Sequence, residues 1–157
     1  MLTHHRRPVS LTWLSTDLPL LTNLDTLGIV YQKDRYWFHL MLKQPLLPEQ
    51  DAQENHLDRE TQQLLWLEIS PYRVIMTQQG TGKIAYRHFW EEGVFGSSHF
   101  WFNGLMSDEG TAFRLRNFTR RLTLKGQTFP EYLRIEYELW TPNLQLGHYA
   151  LHLEIHH

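Results

Sequence analysis

Residues 27–43 read LGIVYQKDRYWFHLMLK, and their folding decides the class of the protein. Leu27, Ile29 and Tyr31 share one face of an extended chain. After the polar KDR, Trp37, His39 and Met41 alternate with Tyr36, Phe38, Leu40 and Leu42. Period-two alternation on both sides of a short polar turn predicts a β-hairpin. The same grammar continues downstream in LLWLEIS (64–70), YRVIMTQQ (72–79), KIAYRHFW (83–90), SSHFWFNG (97–104), AFRLRNFTRRLTLK (112–125), EYLRIEYELW (131–140) and HYALHLEIHH (148–157). The connections are mostly too short for parallel crossovers.

The reading is therefore all-β and mainly antiparallel. It is a meander of about nine strands forming a closed or partly open, lipocalin-like barrel, alternatively a β-sandwich, with at most one or two short helices. Residues 1–157 form a single domain, with 1–26 an irregular lead-in and 45–63 a polar, proline-broken loop or a short helix from Asp58. In 112–125 the apolar phase slips near Phe118, as a β-bulge would make it.

The bulk numbers narrow the function. A formal charge of −2 supplies no global field for nucleic acid, and 157 residues suffice for a core without disulfide or metal. Absence of cysteine removes thiolate nucleophiles, cysteine–zinc sites and iron–sulfur clusters, and suits a reducing, cytoplasmic setting. The N-terminus has no apolar stretch ahead of a small-residue cleavage site, and no apolar run reaches the length of a membrane span. Aromatic content is high, at 13%.

Two strand patterns stand apart. In the last two strands Leu133, Ile135, Tyr137 and Leu139, and then Tyr149, Leu151, Leu153 and Ile155, form apolar faces. Their opposite faces carry Arg134, Glu136, Glu138, His152 and Glu154, a prospective cross-strand charge ladder. YWFHLML, YRHFW and SSHFWFNG instead are aromatic on both faces, with histidine beside tryptophan. Such a surplus needs a second layer, a partner or a lined cavity.

That surplus nominates a pocket of Trp37, Trp66, Tyr86, Trp90 and Trp101, with Phe113 at its margin and His39, His88 and His99 as polar handles. The competing reading is plain core filling. His39, His88 and His99 could also converge on zinc, although no helical HExxH spacing accompanies them, and the overall reading assigns no metal and no cofactor. A basic patch, Arg114, Arg116, Arg120 and Arg121 with Lys125 nearby, suits phosphate or carboxylate recognition. Its alternative is pairing with the glutamates of 131–138. GTGK at 80–83 lacks the rest of a phosphate loop and reads as a hairpin turn.

The meander looks like the architecture of lipocalin-type and fatty-acid-binding barrels. The lipocalin glycine–any–tryptophan signature is missing, because Leu11 and Thr12 precede Trp13. The likeness is architectural and transfers no site residue. The function expected is non-enzymatic binding of a small apolar or aromatic ligand. The alternatives are an interaction subunit that docks a protein partner or second copy on an aromatic face, and a small histidine-dependent enzyme.

Overall fold

The computed structural model describes residues 3–15, 21–44, 63–79, 85–101, 112–126 and 128–156. Its strands are β1 (Thr3–Ser15), β2 (Leu21–Asp34), β3 (Trp37–Gln44), β4 (Gln63–Ile69), β5 (Arg73–Gln79), β6 (Ala85–Glu91), β7 (Phe95–Trp101), β8 (Ala112–Lys125), β9 (Tyr132–Trp140) and β10 (Gln145–Ile155). Each pairs antiparallel with its sequence neighbours, and β1 closes against β10 through Val9–Ile155, Leu11–Leu153 and Trp13–Leu151. The all-β barrel is thus closed, a sandwich is excluded, and no free sheet edge remains among these strands. No helix among the described residues is long and apolar enough to cross a membrane. The expectations for 45–62, for the turn at 80–83 and for Phe102–Gly104 lie outside the described residues.

The tenth strand comes from the segment read as an irregular lead-in. Its inward residues Val9, Leu11 and Trp13 alternate correctly, but Pro8 and the polar residues 4–7 disguise the upstream half. Pro8 is tolerated for a geometric reason. Its carbonyl accepts from the His156 N–H at 2.9 Å, and its own nitrogen faces the same side, where β10 has already ended at Ile155.

The 27–43 hairpin forms with its turn at Arg35–Tyr36, where Asp34 Oδ1 accepts the Tyr36 N–H at 2.9 Å. Its inner face is Gly28, Val30, Phe38, Leu40 and Leu42, all buried. Gly28 is there because nothing larger fits. A Cβ would lie 2.6 Å from Leu42 Cδ2 and 2.8 Å from Val9 Cγ2. Gly28→Val should therefore overpack this layer and cost about 1–3 kcal/mol. The check is a lowered urea midpoint at unchanged slope.

The slip near Phe118 is a break in the β8–β9 register between Thr119 and Arg121. It puts Arg120 and Arg121 side by side on the exposed outer surface. Leu122 and Leu124 return to the inside, opposite Ile135 and Leu133. Together with Val9, Leu11, Leu40, Leu67, Met76, Leu151 and Leu153, the inner leucines and isoleucines fill one part of the barrel. Aromatic and polar residues line the rest.

Candidate ligand-binding site

The inner face of β6 carries Tyr86, His88 and Trp90, the three predicted site residues that the structure does bring together. The β6–β7 register sets His88 against Ser98 and Tyr86 against Phe100. His88 stands in an aromatic box. Trp90 stacks on it with ring centroids 4.9 Å apart and planes at 7°. Tyr86, Trp13, Phe100 and Tyr137 surround it at 5.2, 5.4, 5.4 and 6.1 Å.

A buried polar network holds this histidine. Its Nδ1 lies 2.7 Å from Ser98 Oγ. Asn117 Nδ2 lies 2.9 Å from the same hydroxyl and 3.1 Å from the carbonyls of Phe89 and Ser97. Carbonyls only accept, so the amide orientation is fixed and Asn117 donates to Ser98. We assign the Ser98 proton to His88 Nδ1, the acceptor within its reach, and this assignment places the imidazole hydrogen on Nε2. Burial pushes the His88 pKa down to about 3, so the ring is neutral at physiological pH. Among the described residues, His88 Nε2, Trp90 Nε1, Asn117 Oδ1 and Thr119 Oγ1 are buried without a hydrogen-bond partner. Unsatisfied polar atoms at this density in a native interior call for a solvent or ligand partner.

Beside His88 lies a partly open cavity of about 280 Å³. Its described lining adds Trp13, Phe100, Tyr137, Leu139 and Tyr149, with Leu14, Ser15 and Thr22 toward the rim. Trp13 Nε1 donates to the Tyr137 hydroxyl at 2.8 Å and ties β1 to β9 across the interior. Burial raises the Tyr137 and Tyr86 hydroxyls above the usual phenol value, so both stay neutral. The wall is aromatic, uncharged and supplied with a few fixed polar groups, the usual make-up of a small-molecule site.

The other nominated residues lie elsewhere. Trp37, His39 and Trp66 project from the outer face of β3 and β4, with His39 edge-on to Trp66 at 5.5 Å and 3.4 Å from Glu68. Burial and the Lys33 charge lower the His39 pKa, against the pull of Glu68. His99 and Trp101 stack on each other at 3.9 Å on the outer face of β7. The predicted single wall therefore separates into one interior group and two exterior groups. The three histidines, one inside and two outside, cannot share a metal ion, and no other metal-holding cluster occurs among the described residues.

Register explains the split. Because Ser98 pairs with His88, position 98 points inward and 99 outward. Trp13, Tyr137, Tyr149, Ser98 and Asn117 were not anticipated as site residues. Tyr137 and Tyr149 stood on correctly read apolar faces, and only the β9–β10 pairing stacks them, at 5.5 Å.

The arginines of β8 face outward and engage neighbours. Arg120 pairs with Glu138, Arg121 lies 3.9 Å from Glu136, and Arg116 covers the Phe95 ring at 4.7 Å. Arg114 sits opposite His99 in register. Burial pushes the Glu138 pKa up, but hydrogen bonds from Arg120 and Trp140 and the charges of Arg120 and His148 outweigh it and hold it below the usual value. The expected cross-strand ladder forms otherwise than read: Glu138 meets His148 across the strands at 3.6 Å, whereas His152–Glu154 and Arg134–Glu136, each at 3.2 Å, are contacts within β10 and within β9, and the register sets His152 opposite Arg134.

No protein-family model matches the chain, and no curated protein is similar to it. Among solved structures, the crystal structure of the ywiB protein from Bacillus subtilis is similar in fold. The TM-score is 0.58 over 99% of this chain and 94% of that one, at 13% sequence identity. A likeness at that identity concerns the fold alone.

Proposed function

We propose that this barrel is a non-enzymatic binding protein, acting in the cytoplasm, that holds a small apolar or aromatic ligand in the cavity beside His88. One observation carries the reading: a fully buried, neutral imidazole borders an aromatic cavity with its Nε2 unpartnered among the described residues. A residue that served packing alone would be replaced at no loss by a hydrocarbon side chain, since a buried polar atom without a partner costs about 1–3 kcal/mol. The cavity volume lies at the small end of the range for ligand sites, which favours compact molecules over long acyl chains. The cysteine-free composition suits the proposed compartment.

The test is calorimetric titration with small aromatic compounds, on the wild type and on Thr22→Phe. Thr22 is exposed at the rim, so a phenyl group there should narrow the mouth without disturbing the core. We expect saturable binding to the wild type and at least about a tenfold loss in the variant. Binding that ignores the substitution would place the ligand elsewhere.

A second reading draws on the exterior. Ile29, Met41 and Trp66 form one cross-strand row outside β2–β4, flanked by Leu27 at 61% exposure. An apolar patch of this kind suits a protein partner or a second copy of the chain. Light scattering at two concentrations separates the readings, because a mass that rises with concentration and falls back in Trp66→Lys supports the docking face.

A further inference from the structure

We infer that the ligand is electrically neutral and presents a carbonyl-type acceptor to the Nε2–H of His88, with the Tyr137 hydroxyl as a second donor. The inference rests on the cavity reading above and specifies its chemistry.

Three observations carry it. With the Ser98 proton assigned to Nδ1, Nε2 is a donor with no acceptor among the described residues. The Tyr137 oxygen accepts from Trp13 and the residue lines the cavity, so its own proton is available to an acceptor there. The described lining includes no charged side chain. Without a counter-charge, a carboxylate moved from water into this wall would lose its hydration uncompensated. The low pKa of His88 keeps the imidazole from supplying that charge on demand. A ketone, aldehyde, ester or amide carbonyl satisfies the donors and leaves the aromatic wall to cover the hydrocarbon part. Pure hydrocarbons fit the wall but leave Nε2–H unpaired.

The experiment compares ethylbenzene, acetophenone and benzoate, which share a skeleton and differ at one substituent. In the wild type, acetophenone should bind about three- to tenfold tighter than ethylbenzene, the ratio one net hydrogen bond supplies, and benzoate should be the weakest. In His88→Phe the ratio of acetophenone to ethylbenzene affinity should fall toward what the Tyr137 hydroxyl alone supplies. Because the variant also strands Ser98, a second measurement uses the unmodified protein: ¹⁵N spectra of histidine-labelled wild type should show His88 protonated on Nε2, with that resonance moved by acetophenone.

Equal affinity for ethylbenzene and acetophenone would overturn the inference and leave the cavity reading standing. So would benzoate as the tightest ligand, or an Nδ1–H tautomer. Failure of all three compounds to bind would remove both.

Discussion

Between pH 6.5 and pH 3 the barrel should lose on the order of 4–5 kcal/mol of stability through His88 alone. The folded-state pKa of this residue is about 3, against 6.5 for the unconstrained side chain. Within that window the unfolded chain binds a proton that the folded chain refuses. The unfolded state therefore holds more protons, and stability rises with pH up to about 6.5 and levels off above it. Burial is the cause, since the imidazolium would sit among the rings of Trp13, Tyr86, Trp90, Phe100 and Tyr137. The check is a series of urea midpoints from pH 7.5 to pH 4 for the wild type and His88→Phe. Most of the slope should vanish in the variant. What remains belongs to other groups, including His39, whose pKa burial also lowers. Parallel curves would show that His88 is hydrated or paired in solution.

Trp90→Ala should destabilise the protein by about 3–5 kcal/mol, the range for deleting a large buried aromatic ring. Trp90 is wholly inaccessible and packs between His88 and Tyr137, the latter at 5.1 Å. The comparison that makes the result informative is Trp66→Ala. Trp66 is 38% exposed on the outer face, and truncation there should stay within about 1 kcal/mol. Chemical denaturation of the two variants reports the division between inner and outer tryptophans. Similar losses at both positions would mean that the inner and outer faces are wrongly assigned.

The sequence disclosed the strands more readily than their facing. β9 and β10 alternate apolar and charged residues, and their inner faces are the ones read from the pattern. The bulge in β8 shows as a slipped apolar phase because Leu115 and Leu122 cannot share a face without an extra residue between them. In the 27–43 hairpin both faces are greasy, so alternation establishes a strand without saying which side is in. Leu27, Ile29 and Tyr31 lie outside, and the packing limit at Gly28 fixes the inside.

Register limited the site reading in the same way. His88 and His99 are eleven residues apart across a turn, and a shift of one residue in the β6–β7 pairing would reverse their relative facing. Closure was the second limit. Trp13 meets Tyr137 only because β1 joins β10, a contact across 124 positions that no local pattern encodes.

The most direct test of the interior site is a titration of ¹⁵N-tryptophan-labelled protein with acetophenone, followed at the indole N–H signals. The Trp13 signal should shift and saturate, because its ring borders the cavity and its N–H holds Tyr137. The Trp66 signal should stay still, because that ring faces outward from β4. A spectrum in which Trp66 moves and Trp13 does not would contradict the account and put recognition on the outside of the barrel.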